Sequence, residues 1–206
     1  LSGALPALAT LRTNPDAVLL YDSHEVFLES GRWAKSPAFI RRILANRFEQ
    51  PALRRAAALI AVNPQVIEEL GKRYEIPARQ VVTYNCPPAW NPEPRGTELR
   101  GAIGLGADAQ VILYHGGFSA HRGLEELLLA IQDPRLAAAH LVFLGYGPLE
   151  SKLRAAATEP ALAGRVHVLK AVAPDVLDRW VSGADVGMCT VLPSTLNHRI
   201  STPNKL

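Results

Sequence analysis

The chain has 206 residues, of which 48% are hydrophobic and 20% are charged, and its formal net charge is +3. These values are typical of a globular protein and exclude a disordered or fibrous one. The positive surplus is too small for a dedicated nucleic-acid binder, and the aromatic residues are not interleaved with the basic ones. A net positive charge of this size suits an anionic small molecule or an anionic membrane surface.

Several targeting and metal signals are absent from the sequence. No apolar run approaches the ~20 residues that cross a bilayer, and the first residues do not resemble a signal peptide. Cys86 and Cys189 form no C-x-x-C pair, so we expect two reduced thiols. The histidines lack H-E-x-x-H spacing. We therefore predict a cytoplasmic protein that holds no metal and no cofactor.

Short apolar strands alternate with helices in the first part of the chain. The run at 17–21 is typical of a buried strand in a parallel sheet. The helical stretch after it is predicted to break at Pro51, because proline lacks the N–H that a helix interior needs. Asn63 and Pro64 provide an N-cap and a first helical residue. The predicted elements are strands at 17–21, 58–62 and 81–84, and helices at 37–58 and 64–70.

A stretch rich in proline and glycine at 86–108 marks a boundary, after which the alternation restarts. Strands separated by helices predict βαβ units and parallel sheets. We predict two incomplete Rossmann-like α/β lobes, at 1–86 and 109–206, joined by a linker at 87–108. The later elements are strands at 111–114, 140–144, 165–169 and 184–188, and helices at 124–132, 149–157 and 174–181.

Ligands of open parallel sheets bind beyond the carboxyl ends of the strands, and the first such position holds His24. An imidazole there can donate to a phosphate or a sugar hydroxyl, and acids flank it. The alternative is that Asp22 caps a turn and His24 is an ordinary surface residue.

A second position combines Gly116 and Gly117 with Arg122. Paired glycines let backbone N–H groups approach an anion, and arginine offers a bidentate fork to phosphate oxygens. The helix predicted to start at Leu124 adds its dipole. The loop is neither G-x-G-x-x-G nor a Walker A loop. The alternative is a flexible turn with a solvated arginine.

Two further positions carry weaker signals. Gly145 and Gly147 permit a tight strand-to-helix turn, for which simple turn chemistry is the alternative. The tail at 197–205 is rich in donors and precedes an apparent helix start at Pro203. A frayed terminus is the alternative there.

The early helices are dense in arginine. A solvated helix face explains this density, and attraction to an anionic membrane leaflet is the alternative. The residues concerned are Arg41, Arg42, Arg47, Arg54 and Arg55.

In their order and spacing, these motifs resemble glycosyltransferase family 4, whose members are retaining enzymes of the GT-B fold. The resemblance covers nearly the whole chain. It depends on Ile112 to Gly117 with Arg122-Gly123-Leu124, Leu144 to Pro148, Ala184 to Gly187, Leu196 to His198, and Ser201 to Leu206.

The resemblance implies a role for each candidate residue. His24 would contact the transferred sugar or the departing phosphate, and Arg122 would neutralise the donor diphosphate above Gly116 and Gly117. Other donor-binding positions would lie in the glycine turn, in the turn that reads the base, and in the tail. These are Gly145, Gly147, Lys170, Val172, Asn197, His198, Pro203, Asn204 and Lys205.

The chain also departs from the family pattern. Many members have Gly-Arg where this chain has Gly116-Gly117, so one of two diphosphate cations is missing. Many also have Glu-x7-Glu, whose first position falls near Ile200. Some members have Pro-Asn-Lys in its place, so we interpret this chain as one of that subgroup.

The implied reaction transfers a sugar from a nucleoside-diphosphate sugar to an acceptor hydroxyl, in the synthesis of cell-surface polysaccharide or glycolipid. The acceptor would be a carbohydrate or a lipid-linked molecule, and the protein would be cytoplasmic, with peripheral contact at the inner membrane face left open. Two alternatives remain: a non-catalytic nucleotide-sugar-binding fragment and a GT-B-type nucleotide-sugar epimerase.

Overall fold

The computed structural model describes residues 3–203 except 88, 90 and 92. It divides into two compact units. The first comprises the residues up to Cys86 and a segment that begins at Pro193, and the second comprises Pro87–Leu192. Cys86 in the first unit and Cys189 in the second are free thiols.

The first unit is built on a parallel sheet with the strand order β1-β2-β3. Apolar side chains from the strands and from α5 pack into its core, which includes Leu53, Leu59 and Leu70. The elements are α1 Ala4–Thr13, β1 Leu19–Ser23, a 3-10 turn Phe27–Glu29, α2 Gly31–Ala34, α3 Ala38–Leu44, a π-helical turn Ala45–Glu49, α4 Gln50–Arg55, β2 Ala56–Ala61, α5 Pro64–Gly71 and β3 Gln80–Val82.

The second unit contains a four-stranded parallel sheet with the order β6-β5-β4-β7. Side chains of β5 are buried on both faces: Phe143 joins one apolar cluster and Val142 joins the other. The elements are α6 Glu98–Ala102, β4 Gln110–Gly117, α7 Leu124–Ala130, a 3-10 turn Pro134–Leu136, β5 Ala139–Tyr146, α8 Glu150–Ala156, β6 Val166–Lys170, a 3-10 turn Pro174–Val176, α9 Leu177–Val181 and β7 Val186–Gly187.

The predicted helix break at Pro51 is wrong. Helical structure continues from α3 through the π-helical turn into α4. Pro51 is the second residue of α4, so its missing N–H falls where the hydrogen-bond pattern changes from π to α.

Two predicted turns also belong to strands. Gly116 and Gly117 end β4, and Gly145 and Tyr146 end β5. Their pairing extends the ladder, because Gly116 lies opposite Gly145 and Gly117 lies opposite Tyr146. Pairing between strands is not visible in local sequence, which is why these glycines suggest a loop.

The segment from Pro193 packs with the first unit, whereas the sequence analysis assigned it to the second lobe. It contains a short helix, α10 Leu196–Ile200, that the sequence analysis did not predict. Leu196 and Ile200 pack against the core of the first unit. Asn197 accepts a hydrogen bond from the Val26 amide at 2.9 Å and donates one to the Val26 carbonyl at 3.1 Å.

A second asparagine holds the same segment. Asn63 is fully buried, and its side-chain amide donates to the Ile200 carbonyl at 2.7 Å. Its side-chain oxygen accepts from the Val66 amide at 2.9 Å, which is the N-cap bond predicted for α5. One buried side chain therefore caps a helix and ties down the tail, and removing it leaves buried polar groups unpaired.

Part of the predicted linker is packed into the second unit. The Arg95 guanidinium donates to the Ser182 carbonyl at 3.1 Å and forms an ion pair with Asp185 at 3.0 Å. Asp185 also pairs with the largely buried Arg100 at 2.8 Å and accepts from the Val111 amide at 2.7 Å. Burial alone raises the pKa of Asp185, but these hydrogen bonds and charges outweigh it and lower the pKa.

His140 on β5 and His167 on β6 form a half-buried imidazole pair. Nδ1 of His140 lies 3.2 Å from Nε2 of His167. Burial, followed by the charge of His140, lowers the pKa of His167. At pH values near and below 6.5, His167 therefore binds fewer protons in the native state than in the unfolded chain. Its contribution to the free energy of unfolding is fully present above about pH 6.5 and is lost as the pH falls.

We expect the free energy of unfolding to fall as the pH is lowered from 7.5 to 5, and His167→Gln to reduce this slope. Because His167 binds one proton, it can change the free energy of unfolding by at most about 1.4 kcal/mol per pH unit. Denaturant unfolding at a series of pH values measures it, with the exposed His24 replaced by glutamine as the control. A slope unchanged in His167→Gln would contradict the assignment.

Candidate functional site

Three of the predicted donor-binding residues lie in one row at the carboxyl edge of the second sheet. Gly116 of β4 lies opposite Gly145 of β5, and Gly145 lies opposite Lys170 of β6. In open parallel sheets this edge is where ligands bind. The structure therefore brings these residues together as a candidate site.

The glycines at this edge allow the two strands and the next loop to approach closely. A Cβ atom on Gly145 would overlap the Gly116 carbonyl oxygen, and one on Gly147 would lie 2.5 Å from the Phe118 carbonyl oxygen. The Phe118 amide donates to the Tyr146 carbonyl at 2.7 Å. Gly145 and Gly147 are therefore required by backbone packing, whether or not they contact a ligand.

Gly117 is different from its neighbours because it is exposed. A Cβ atom built on it would meet nothing within 4 Å among the described atoms. Packing does not require glycine at this position. The lack of a side chain leaves the backbone at the end of β4 accessible to a ligand atom.

Arg122 lies in the loop after β4, and its side chain is half-buried. No carboxylate in the described part of the chain forms an ion pair with it. Burial raises the pKa of Tyr114, and the charge of Arg122 partly opposes that effect. The Tyr114 hydroxyl donates to the Gly117 carbonyl at 3.0 Å. The loop that follows β4 therefore has a positive charge that no described carboxylate pairs with.

The turn after β6 has an exposed and a packed residue. Lys170 is exposed, whereas Val172 is half-buried and packs against the cluster that includes Leu99. The Ala171 amide donates to the Gly145 carbonyl at 3.1 Å, which fixes this turn to β5. The ammonium group of Lys170 is free to meet solvent or a ligand.

His24 lies in the first unit, just after β1. Its Nε2 is 3.7 Å from an Asp22 carboxylate oxygen, and both side chains are more than half exposed. The turn is closed by Ser23, whose hydroxyl donates to the Glu25 carbonyl at 2.8 Å, and not by Asp22 as the alternative interpretation supposed. The His24 imidazole borders an open cleft of about 400 Å³ that β1 and α1 also line.

The described residues of the predicted tail, Asn197, His198 and Pro203, lie in the first unit with His24. The Asn197 amide lies 3.5 Å from a Glu25 carboxylate oxygen, beside the His24 loop. Nδ1 of His198 is 2.8 Å from the Ser194 hydroxyl. Pro203 is half-buried and lies in no helix. Asn204 and Lys205, with the helix predicted to follow Pro203, lie outside the described residues.

The sequence analysis missed a buried carboxylate on the same cleft. Glu49 is 1% exposed and accepts hydrogen bonds from the hydroxyls of Tyr21 at 3.0 Å and Tyr74 at 2.6 Å. Burial, together with this carboxylate, raises the pKa of both tyrosines. One feature of the sequence could have revealed this carboxylate: Glu49 is the single acidic residue in the basic stretch 37–58.

No family model matches the chain. Over 158 residues, which are 73% of this chain and 40% of the relative, it is 27% identical to the alpha-D-kanosaminyltransferase of Streptomyces kanamyceticus. The structure is similar to sucrose-phosphate synthase from Thermosynechococcus elongatus, with a TM-score of 0.63 and 20% identity, covering 88% of this chain and 46% of that one. It is also similar to Anabaena Alr3699/HepE in complex with UDP, with a TM-score of 0.64 and 18% identity, covering 91% and 50%.

These comparisons confirm the predicted fold class. The chain is α/β with parallel sheets and matches the GT-B fold of glycosyltransferases. It spans half or less of the length of these three proteins. Within the described residues, no helix is long and apolar enough to span a membrane. The same residues contain no cluster of three or more histidine, cysteine or acidic side chains suited to a metal ion.

Two substitutions test whether backbone packing requires glycine at position 145 but not at position 117. We expect Gly145→Ala to cost about 1–3 kcal/mol, because the methyl group overlaps the neighbouring strand. Gly117→Ala should change stability by less than about 0.5 kcal/mol, since it faces open space. Hydrogen exchange of the β4 and β5 amides, with denaturant unfolding, measures both effects. Equal destabilisation by the two variants would contradict this interpretation.

Proposed function

We propose that the protein is a glycosyltransferase that moves a sugar from a nucleoside-diphosphate sugar to an acceptor hydroxyl. The observation that carries the proposal is Arg122, a half-buried residue in the loop that follows β4 and the exposed Gly117 at the carboxyl edge of a parallel sheet, which forms no ion pair with a described carboxylate. Such an edge suits a diphosphate, because backbone amides and a fixed cation can meet its oxygens there.

The chemistry of the reaction explains why a fixed cation is useful. As the glycosidic bond breaks, negative charge develops on the diphosphate leaving group. Arg122 and the backbone amides near Gly117 would stabilise that charge without reorganising. Lys170, in the same row as Gly116 and Gly145, adds a second positive charge at this edge. In this reaction the fixed cations and backbone amides would take the place of a metal ion.

The finer assignments are also proposals. Membership of glycosyltransferase family 4, retention of anomeric configuration and contact of His24 with the transferred sugar are supported by the motif resemblance. Anabaena Alr3699/HepE has been crystallised with UDP and with UDP-glucose, so these are the first ligands to test here. We propose a carbohydrate or lipid-linked acceptor and a cytoplasmic location.

We expect Arg122→Ala to lower kcat/KM for sugar transfer by roughly a hundredfold or more, because removing one such donor typically costs about 2.7–4 kcal/mol. Release of nucleoside diphosphate from UDP-, ADP-, GDP- and dTDP-sugars, with and without saccharide acceptors, measures it in the whole protein. Arg135→Ala is the matched control, since that side chain is 88% exposed and paired with Asp133 in the same unit.

The same assay separates the alternatives. Unchanged kcat/KM in Arg122→Ala would remove the central assignment. Nucleoside diphosphate binding without turnover would favour a non-catalytic binding protein. Isomerised nucleotide sugar formed without an acceptor would favour an epimerase.

Peripheral membrane contact is a further part of the proposal. On α3, the side chains of Phe39 and Ile43 are 65% and 60% exposed, one helical turn apart, and the exposed Arg42 lies between them in sequence. Exposed apolar and cationic side chains together suit an anionic lipid surface.

We expect the protein to sediment with vesicles that contain phosphatidylserine and much less with pure phosphatidylcholine vesicles. Replacing Phe39 and Ile43 with serine should weaken sedimentation several-fold, since their apolar area would no longer enter the interface. Lys152→Ser in the second unit is the control. Equal sedimentation of the Phe39/Ile43 variant and the unmodified protein would contradict the contact.

A further inference from the structure

We propose that Thr190 is a positioning residue that fixes the loop carrying Arg122. This inference rests on the proposed function, because it concerns the same diphosphate site. Thr190 lies just after β7, and its hydroxyl donates to the Arg122 carbonyl at 2.8 Å. The backbone carbonyl of Arg122, the residue that would meet the diphosphate, is thus hydrogen-bonded to a residue that follows a different strand.

A second bond ties the same two segments together. The Leu192 amide donates to the His121 carbonyl at 2.9 Å. Two successive carbonyls of the loop, those of His121 and Arg122, therefore accept hydrogen bonds from the stretch after β7. Both segments belong to the second unit, so these hydrogen bonds are internal to the unit that contains the candidate site.

The backbone of the loop needs such support. His121 has a φ of 64°, in the left-handed region that side chains other than glycine rarely adopt. Gly123 has a φ of 72°, and a Cβ atom on it would overlap the Thr190 carbonyl oxygen. The residues on both sides of Arg122 therefore have left-handed backbone conformations. Such a costly conformation persists only where surrounding contacts stabilise it.

The position of Thr190 matters because catalysis by a fixed charge depends on preorganisation. Without the hydroxyl, the half-buried Arg122 carbonyl loses its partner and the loop gains freedom to relax. The guanidinium would then have to be ordered when the diphosphate binds. We infer that Thr190 affects the donor through Arg122 and makes no contact with the donor itself.

The test compares Thr190→Val with Thr190→Ser in the whole protein. We expect Thr190→Val, which keeps the shape but loses the donor, to weaken UDP binding and lower kcat/KM by about tenfold. Thr190→Ser should restore both to within about twofold. Thr158→Val is the matched control, because it removes a 2.7 Å bond from a threonine hydroxyl to the Ala155 carbonyl, away from the site.

A double-mutant cycle separates positioning from a general structural effect. If Thr190 acts through Arg122, Thr190→Val will have little further effect on UDP binding in an Arg122→Ala background. Additive effects, or a loss equal to that of Thr158→Val, would overturn the inference. If Thr190→Val does not fold, UDP binding is measured for Thr190→Ser alone and combined with Arg122→Ala. Weakened UDP binding by Thr190→Ser would also overturn the positioning role of Thr190.

Failure of the proposed function gives a different result. In that case the unmodified protein and Arg122→Ala would bind UDP, ADP, GDP and dTDP equally weakly. If instead Arg122→Ala loses binding while Thr190→Val binds as the unmodified protein does, only the positioning role of Thr190 is wrong.

Discussion

The close approach of two strand ends in the second unit is the constraint on which the candidate site depends. Gly116 and Gly145 lie opposite each other, and no side chain fits between the backbones at Gly145. This contact brings the ends of β4, β5 and β6 to one edge and starts the next loop at a defined point. Lys170 ends β6 at this edge and the loop with Arg122 follows β4 there, which is why the proposed diphosphate site includes both residues.

Glycines in one short stretch have distinct physical roles. Gly145 and Gly147 are needed because backbone atoms approach them, whereas Gly117 faces open space. Gly123 has left-handed backbone beside Thr190. A motif that looks like a single phosphate-binding signature therefore combines residues that build the turn with a residue that leaves room for a ligand. The loop around Arg122 combines left-handed backbone at His121 and Gly123 with hydrogen bonds to the segment after β7.

The first unit is held together by polar side chains that a pattern of apolar residues does not reveal. Asn63 binds the Ile200 carbonyl of the tail, Asn197 of the tail binds the backbone of Val26, and Glu49 is buried against two tyrosines. Each of these polar groups has a partner far away in the sequence. Such partners offset the cost of burying a polar group. The bonds of Asn63 and Asn197 act together with the apolar packing of Leu196 and Ile200 to hold the tail on the first unit.

The sequence by itself determined the alternation of strands and helices, the parallel sheets and the N-cap at Asn63, because these follow from local periodicity and capping. It also predicted a ligand beyond the ends of β4 and β5, and the family resemblance added the turn after β6. Only the tertiary structure decided the continuation of the helix through Pro51, the packing of Asn197 with the first unit, and the hydrogen-bond partners of Glu49 and Thr190. Each of these depends on hydrogen bonds between distant segments or on a change in helical pitch, which no local pattern specifies.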